Sequence, residues 1–193
     1  MIRHSDLPRE LNLATWFVDR NVEEGRGDRV ALISPAGKTT YAELALLVNR
    51  CGNLLRELGV RAEERVLLAL GDSVEFVALW YGAHKIGAVT AEAYTFLQPK
   101  DYAYYLEYTD ARVVVVDETT RAAIESVAGG RQILVVDDAF RERLAAQPDE
   151  LEAALTTKDD VALWKFTTGS TGQPKGAVHL VHSPVLSHEW YAR

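Results

Sequence analysis

Apolar residues along this chain follow two patterns that alternate. Short runs rich in β-branched residues predict strands, and they lie at 29–34, 65–70, 88–94, 111–117, 132–137 and 161–166. Between these runs, apolar residues recur every three or four positions, a spacing that places them on one face of an α-helix. Helices are predicted on this basis at 11–24, 39–59, 73–87, 99–109 and 119–128, with further helix across 138–156.

Local signals mark the ends of individual helices. Thr40 followed three residues later by Glu43 is a capping box, and Gly59 is a natural stop for the helix that begins there. Asp72 and Glu75 form a second possible capping pair at the start of the next helix. These signals predict where the chain enters and leaves two of its helices.

The alternation of strands and helices favours one fold class. It is typical of a parallel sheet covered by helices on both faces. The uninterrupted β-branched run at 111–117 agrees, because a strand buried on both faces is apolar throughout. Residues 35–39 predict a turn after the first strand. We therefore predict an α/β fold with a mainly parallel sheet flanked by helices, in which ligands bind beyond the carboxyl ends of the strands.

Composition narrows the class of protein. The 193 residues carry a net charge of -7, and no segment concentrates lysine and arginine, which argues against nucleic acid or an anionic membrane as a partner. No apolar run is long enough for a spanning helix, and the polar N-terminus is unlike a secretory signal. Cys51 is the only cysteine, so it cannot form an intrachain disulfide, and its place on an apolar helix face predicts core packing. A cytoplasmic enzyme fits these features.

The segment FTTGSTGQPKG, residues 166–176, carries the candidate chemistry. It follows the carboxyl end of the last predicted strand and concentrates glycines, hydroxyl residues and one lysine. Glycines allow the backbone to approach a ligand closely, and successive N–H groups in such a turn form an anion-binding concavity. The hydroxyls of Thr167, Thr168, Ser170 and Thr171 add donors, and Lys175 adds a charge suited to phosphate. Composition alone is equally compatible with a flexible surface loop.

Two other phosphate-binding motifs are excluded by spacing. A P-loop needs glycine directly before its lysine, and Pro174 takes that place here. A dinucleotide GxGxxG motif is also absent, because Gly169, Gly172 and Gly176 have the wrong separations.

The order of residues in 166–176 resembles the phosphate-binding signature of the adenylate-forming superfamily. That superfamily includes acyl-CoA synthetases, the adenylation domains of peptide synthetases, and luciferases, and every fixed position of the signature is met here. TTYAEL at 39–44 and YGAHKIGAV at 81–89 look like two further motifs of the family, in the right order. The segments 12–33 and 101–117 are most similar to benzoate-CoA and related aryl-CoA ligases.

Some positions depart from the family pattern. Glu92 and Tyr94 stand where relatives tend to have small or amide side chains. Relatives often place a histidine at the position of Val181, whereas this chain has His182 next to it. We predict that His179 and His182 are structural or face solvent, since nothing in the sequence pairs them with a nucleophile or a set of metal ligands.

The resemblance implies a two-step reaction. A carboxylate attacks the α-phosphate of ATP to give an acyl-adenylate and pyrophosphate, and the thiol of coenzyme A then displaces AMP. ATP, Mg²⁺ and CoA are thus implied for the full-length parent, with an aryl or acyl carboxylic acid as substrate. The resemblance assigns ATP phosphate binding to Thr167, Thr168, Gly169, Ser170, Thr171, Gly172 and Lys175. It assigns no catalytic residue, acyl pocket or metal ligand to this chain.

The extent of the chain gives a further expectation. Residues 1–193 are expected to form an N-terminal fragment of an AMP-binding (adenylation) domain that ends just after the loop, and to be catalytically incomplete alone. Apolar surface exposed by truncation would then favour a homo-oligomer. The alternative is a stand-alone, non-catalytic domain that binds a nucleotide or a protein.

Overall fold

The chain folds into alternating strands and helices in a computed structural model, which describes residues 2–167 and 174–192. The strands are β1 (Val30–Ser34), β2 (Gly37–Thr40), β3 (Arg65–Ala69), β4 (Val89–Glu92), β5 (Val113–Val116), β6 (Gln132–Val135), β7 (Val161–Thr167) and β8 (Lys175–Leu180). The helices are α1 (Arg20–Glu23), α2 (Tyr41–Glu57), α3 (Val74–Lys85), α4 (Pro99–Thr109), α5 (Glu118–Glu125), α6 (Asp138–Ala145) and α7 (His182–Tyr191). A π-helical turn, Thr15–Asp19, leads into α1, and a 3₁₀ turn, His4–Asp6, lies near the N-terminus.

Six of these strands form one sheet in the order β6-β5-β3-β4-β7-β8. The pairs β3–β4, β3–β5, β4–β7 and β5–β6 are parallel, and only the edge pair β7–β8 is antiparallel. Strands β1 and β2 form a separate antiparallel hairpin. The prediction of an α/β fold with a mainly parallel sheet flanked by helices is confirmed.

The two faces of the sheet are buried by different helices. In β5, Val113 and Val115 belong to a core shared with α2, α3 and α6, whereas Val114 and Val116 belong to a core shared with α4 and α5. All four valines are fully buried, which explains why this strand is apolar without interruption. None of the helices in the described parts of the chain is long and apolar enough to cross a membrane.

Helices α2 and α3 approach each other closely at two glycines. Gly52 of α2 and Gly82 of α3 face one another, and a Cβ at Gly82 would lie 2.8 Å from the backbone nitrogen of Gly52. The capping box predicted for α2 is present, since Thr40 accepts from the Glu43 N–H and donates its own N–H to the Glu43 carboxylate. Cys51 packs in the core beside this contact as predicted, and burial raises the pKa of its thiol.

Three local predictions differ from the structure. The turn predicted at 35–39 is present at 35–36, and the residues after it form β2, which pairs with β1 as a hairpin. The N-cap residue of α3 is Ser73 rather than Asp72, since the Ser73 hydroxyl accepts a hydrogen bond from the Phe76 N–H.

The third difference is in the helix predicted across 138–156, because helix α6 ends at Ala145. The following carbonyls are bound by side chains of α2 instead of by helical N–H groups. The Asn49 amide donates to the carbonyl of Asp149, and the Asn53 amide donates to those of Pro148 and Glu150. These tertiary hydrogen bonds satisfy backbone groups that would otherwise need a helix.

Candidate functional site

Strands β7 and β8 pair antiparallel at one edge of the sheet. Thr167 and Lys175 are the last residues paired between the two strands. Thr167 ends β7, which lies beside the parallel strand β4. The other five predicted phosphate-binding residues lie outside the described residues: Thr168, Gly169, Ser170, Thr171 and Gly172.

The register of the hairpin shows which side of the sheet Thr167 and Lys175 face. Leu163 pairs with His179, and Thr167 pairs with Lys175. Side chains alternate along a strand, and directly paired residues point to the same face. Thr167 and Lys175 therefore lie on the same face as Leu163, Lys165 and His179.

That face carries a large groove of about 950 Å³. Its walls are mostly apolar and come from the π-helical turn Thr15–Asp19, α2, α3, β7 and α7. Aromatic side chains dominate one part of the lining: Phe17, Tyr41, Phe76, Trp80 and Tyr81. Lys165 and His179 bring polar groups to the groove on the sheet side.

Glu92 and Lys165 form an ion pair across the carboxyl ends of β4 and β7. They are directly paired in the sheet, and the Lys165 Nζ lies 2.9 Å from the Glu92 carboxylate. The Trp80 indole N–H donates to the other carboxylate oxygen at 2.8 Å. Glu92 thus holds the Lys165 ammonium and the Trp80 indole in place at the groove. The sequence had left the effect of Glu92 open, and these contacts give it a structural role. Tyr94 is half exposed and stacks on Phe96.

Lys175 differs from Lys165 in its surroundings. Its side chain is exposed, and among residues 2–167 and 174–192 no carboxylate forms a salt bridge with it. An ammonium group without a protein counter-ion keeps its attraction for an external anion. The adjacent Thr167 is also exposed and has a hydroxyl that a phosphate oxygen can accept from.

The opposite face of the hairpin is anchored by tyrosines of α4. The Tyr104 hydroxyl donates to the carbonyl of Pro174 at 2.9 Å. Tyr108 lies over Gly176, where an added Cβ would be 3.0 Å from its ring. The spacing of Tyr104 and Tyr108 was the only sequence signal for this support, since residues four apart share one face of a helix. A side chain at position 176 would therefore press against the Tyr108 ring.

His179 and His182 have different surroundings. His179 lines the groove. His182 lies near Asp159 and His4, two residues that the sequence did not pair with it. The hydrogen bond from His4 to Asp159 is the main reason that the pKa of this carboxyl is lowered. Sequence patterns did not reveal the cluster because its members are far apart along the chain.

Comparison with known proteins identifies the family of this chain. Residues 18–190 match the family model described as AMP-binding enzyme. The 4-hydroxybenzoate–CoA/benzoate–CoA ligase of Rhodopseudomonas palustris is 39% identical over 94% of this chain and 35% of its own length. The benzoate–CoA ligase of Thauera aromatica is 38% identical over 97% of this chain and 37% of its own length. The chain thus spans about a third of the length of these curated relatives.

The solved structures that superpose on this chain include CoA ligases for aromatic acids. An anthranilate CoA ligase in complex with anthranoyl-AMP superposes with a TM-score of 0.92 at 32% identity, covering 98% of this chain and 37% of its own. A benzoate CoA ligase from Burkholderia xenovorans superposes with a TM-score of 0.85 at 33% identity, covering 94% of this chain and 37% of its own. Both the sequence relatives and the solved structures therefore support the fold and the resemblance to aryl-CoA ligases.

Proposed function

Because the chain belongs to the AMP-binding enzyme family, we propose that it forms the N-terminal portion of an ATP-dependent, AMP-forming aryl-CoA ligase. In this proposal residues 166–176 hold the phosphates of ATP, and the substrate is an aryl or acyl carboxylic acid. The activity belongs to the full-length parent, and the chain of 193 residues is catalytically incomplete by itself.

One observation carries this proposal. Lys175 and Thr167 are exposed at the carboxyl end of β7, on the face of the sheet that carries the apolar groove. The ammonium group and the hydroxyl suit phosphate oxygens, and the aromatic walls of the groove suit an apolar acid. A site with these two parts fits the joining of a nucleotide phosphate to an aromatic carboxylate.

The chemistry proceeds in two displacements. A carboxylate oxygen of the acid bonds to the α-phosphorus of ATP, the bond from that phosphorus to the bridging oxygen breaks, and pyrophosphate leaves. The sulfur of CoA then bonds to the acyl carbon, AMP leaves, and the thiol proton passes to solvent. No general base is needed in the first step, because the carboxylate is already ionised near neutral pH.

The proposed contribution of this chain to the first step is electrostatic. Lys175 and Thr167, together with Thr168, Gly169, Ser170, Thr171 and Gly172, would hold the β- and γ-phosphates and stabilise the charge that develops on the leaving pyrophosphate. Mg²⁺ would share that charge, although no described residue is assigned to it. The acid must also be held in line with the α-phosphate, and that positioning is assigned to other parts of the parent.

ATP–pyrophosphate exchange with benzoate and related aryl acids tests the proposal. In the full-length parent, Lys175→Ala should slow exchange roughly 5- to 150-fold, which corresponds to the loss of about 1–3 kcal/mol of interaction with a charged group. The KM for the acid should change much less. Lys38→Ala removes the same charge from an exposed position in the β1–β2 hairpin and should leave exchange unchanged. Equal rates for the Lys175→Ala parent and the wild-type parent would remove this lysine from the mechanism.

The isolated chain provides a second test. We expect no benzoate-dependent exchange from purified 1–193, and exchange above background would contradict the proposed incompleteness. The alternative function, a stand-alone domain that binds a nucleotide or a protein, predicts a single species of 21.4 kDa in the native source. The ligase proposal predicts a longer polypeptide there.

Three remaining properties are part of the proposal. The parent is expected to act in the cytoplasm, to need no nucleic acid or membrane partner, and to use CoA as the acceptor thiol. A homo-oligomer formed through exposed apolar surface stays a prediction, to be checked by sizing the purified chain.

A further inference from the structure

A cluster of His4, Asp159 and His182 lies beside the start of β7, and none of its three members lines the groove. His4 belongs to the N-terminal 3₁₀ turn, Asp159 precedes β7, and His182 is the first residue of α7. The His4 Nε2 lies 2.7 Å from an Asp159 carboxylate oxygen, and the His182 Nδ1 lies 3.5 Å from the same oxygen. One ligand atom from each of the three residues lies within 4.8 Å of the other two.

These spacings suit a small metal ion. Zn²⁺ binds histidine nitrogen and carboxylate oxygen at about 2.0–2.2 Å, so neighbouring ligands of a tetrahedral site are about 3.4 Å apart. The observed separations bracket that value and need only small movements of side chains at the surface. Two imidazoles and one carboxylate are also ligands that favour Zn²⁺ over Mg²⁺ or Ca²⁺.

The surroundings of the cluster already orient it. The His182 Nδ1 lies 2.9 Å from the carbonyl oxygen of Lys158. This is the same nitrogen that lies 3.5 Å from Asp159, so a metal bound at Nδ1 would replace the contact with the carbonyl. The Lys158 ammonium donates to the carbonyl oxygens of His4 and Leu7, which holds the N-terminal turn against the residues preceding β7.

We propose that His4, Asp159 and His182 form a Zn²⁺ site with a fourth position open to water. The ion would join the N-terminal turn to the start of β7 and to the start of α7, three elements that meet only in the folded chain. His4 and Asp159 are exposed, so the ion can enter from solvent. This proposal is independent of nucleotide binding and of the ligase activity.

The test is metal binding by the untagged chain, since tag histidines bind Zn²⁺ themselves. Equilibrium dialysis against ZnCl₂ at neutral pH, followed by metal analysis, should give one equivalent per chain. Co²⁺ used as a probe should give visible absorption bands typical of a site with nitrogen and oxygen ligands, and Zn²⁺ should abolish them. Binding of Zn²⁺ to the folded chain should also raise its Tm.

Single substitutions separate a site from non-specific binding. His4→Ala, Asp159→Asn and His182→Ala should each weaken Zn²⁺ binding by more than the roughly 10- to 100-fold expected for losing an outer partner of a metal ligand. His179→Ala removes a histidine outside the cluster and should bind as the wild type does. His4 is exposed near the chain end, so His4→Ala is the variant that is expected to keep the fold, which circular dichroism checks.

Two results would contradict a Zn²⁺ site at these residues. Binding of less than one equivalent by the wild type at saturating Zn²⁺, or equal affinity in His4→Ala and the wild type, would overturn the proposal. The cluster would then be an ion pair between histidine and Asp159 that holds the N-terminal turn without a metal.

Discussion

The contact between α2 and α3 gives a sharp prediction, because it depends on one missing side chain. In Gly82→Ala the new Cβ would lie 2.8 Å from the backbone nitrogen of Gly52 and 2.9 Å from the Cβ of Cys51. The carbonyl oxygen of Val48 would be 3.0 Å away. Non-bonded carbon contacts are favourable at about 3.5–4.0 Å, so all three approaches are repulsive. None of these atoms belongs to the end of a flexible side chain, so the two helices must move apart.

Two opposing effects determine how much Gly82→Ala changes the free energy of unfolding. Overpacking a core costs about 1–3 kcal/mol, and the upper end applies here because backbone atoms must move. Alanine in a helix interior is favoured over glycine by about 1 kcal/mol. The free energy of unfolding should therefore fall by about 2 kcal/mol. For a chain of this size, that corresponds to a decrease in Tm of about 4–8 °C.

Urea unfolding followed by circular dichroism measures this change. Gly27→Ala is a suitable control, because a Cβ there meets its nearest neighbour, the Ala42 Cβ, at an ordinary 3.5 Å. It should alter the free energy of unfolding by less than about 0.5 kcal/mol. If Gly82→Ala is as stable as the wild type, the close helix contact is absent in solution and the reasoning fails.

Three further predictions concern buried or anchored groups. Lys85 and Asp19 form a largely buried ion pair at 2.8 Å, so Lys85→Met should lower the free energy of unfolding by about 3–5 kcal/mol by stranding a carboxylate. Adding Asp19→Asn should restore part of that loss in urea unfolding, and a fully stable single variant would contradict the role of the pair. Burial lowers the pKa of His84 to about 3. In the unfolded chain the imidazole has a pKa near 6.5, so below that pH protons bind preferentially to the unfolded chain. The free energy of unfolding should therefore fall by up to about 1.4 kcal/mol for each unit by which the pH is lowered from 6.5 to 3. His84→Gln should show a shallower pH dependence, and identical slopes would count against this source of acid sensitivity. Tyr104→Phe removes the hydrogen bond to the Pro174 carbonyl and should speed hydrogen exchange at the start of β8 roughly 2- to 12-fold; unchanged exchange there would show that the tyrosine does not anchor the hairpin.

The sequence determined the local elements and the candidate loop. Strands β3 to β7 and helices α2 to α5 agree with their predicted positions, because burial on one or both faces leaves a periodic apolar pattern in the chain itself. The capping box of Thr40 and Glu43 was predictable for the same reason, since its partners are three residues apart. The order of residues in 166–176 was enough to indicate the family.

Only the tertiary structure decided how distant segments meet. Local patterns gave no sign that Asn49 and Asn53 replace a helix after α6, because the carbonyls they bind lie about a hundred residues away. The placement of Lys175 on the same face of the sheet as the groove depends on the register between β7 and β8, which a single strand does not specify. The cluster of His4 and His182 likewise depends on contacts across almost the whole chain. Periodicity records which face of an element is buried, whereas the identity of its neighbours is fixed only when all the elements pack together.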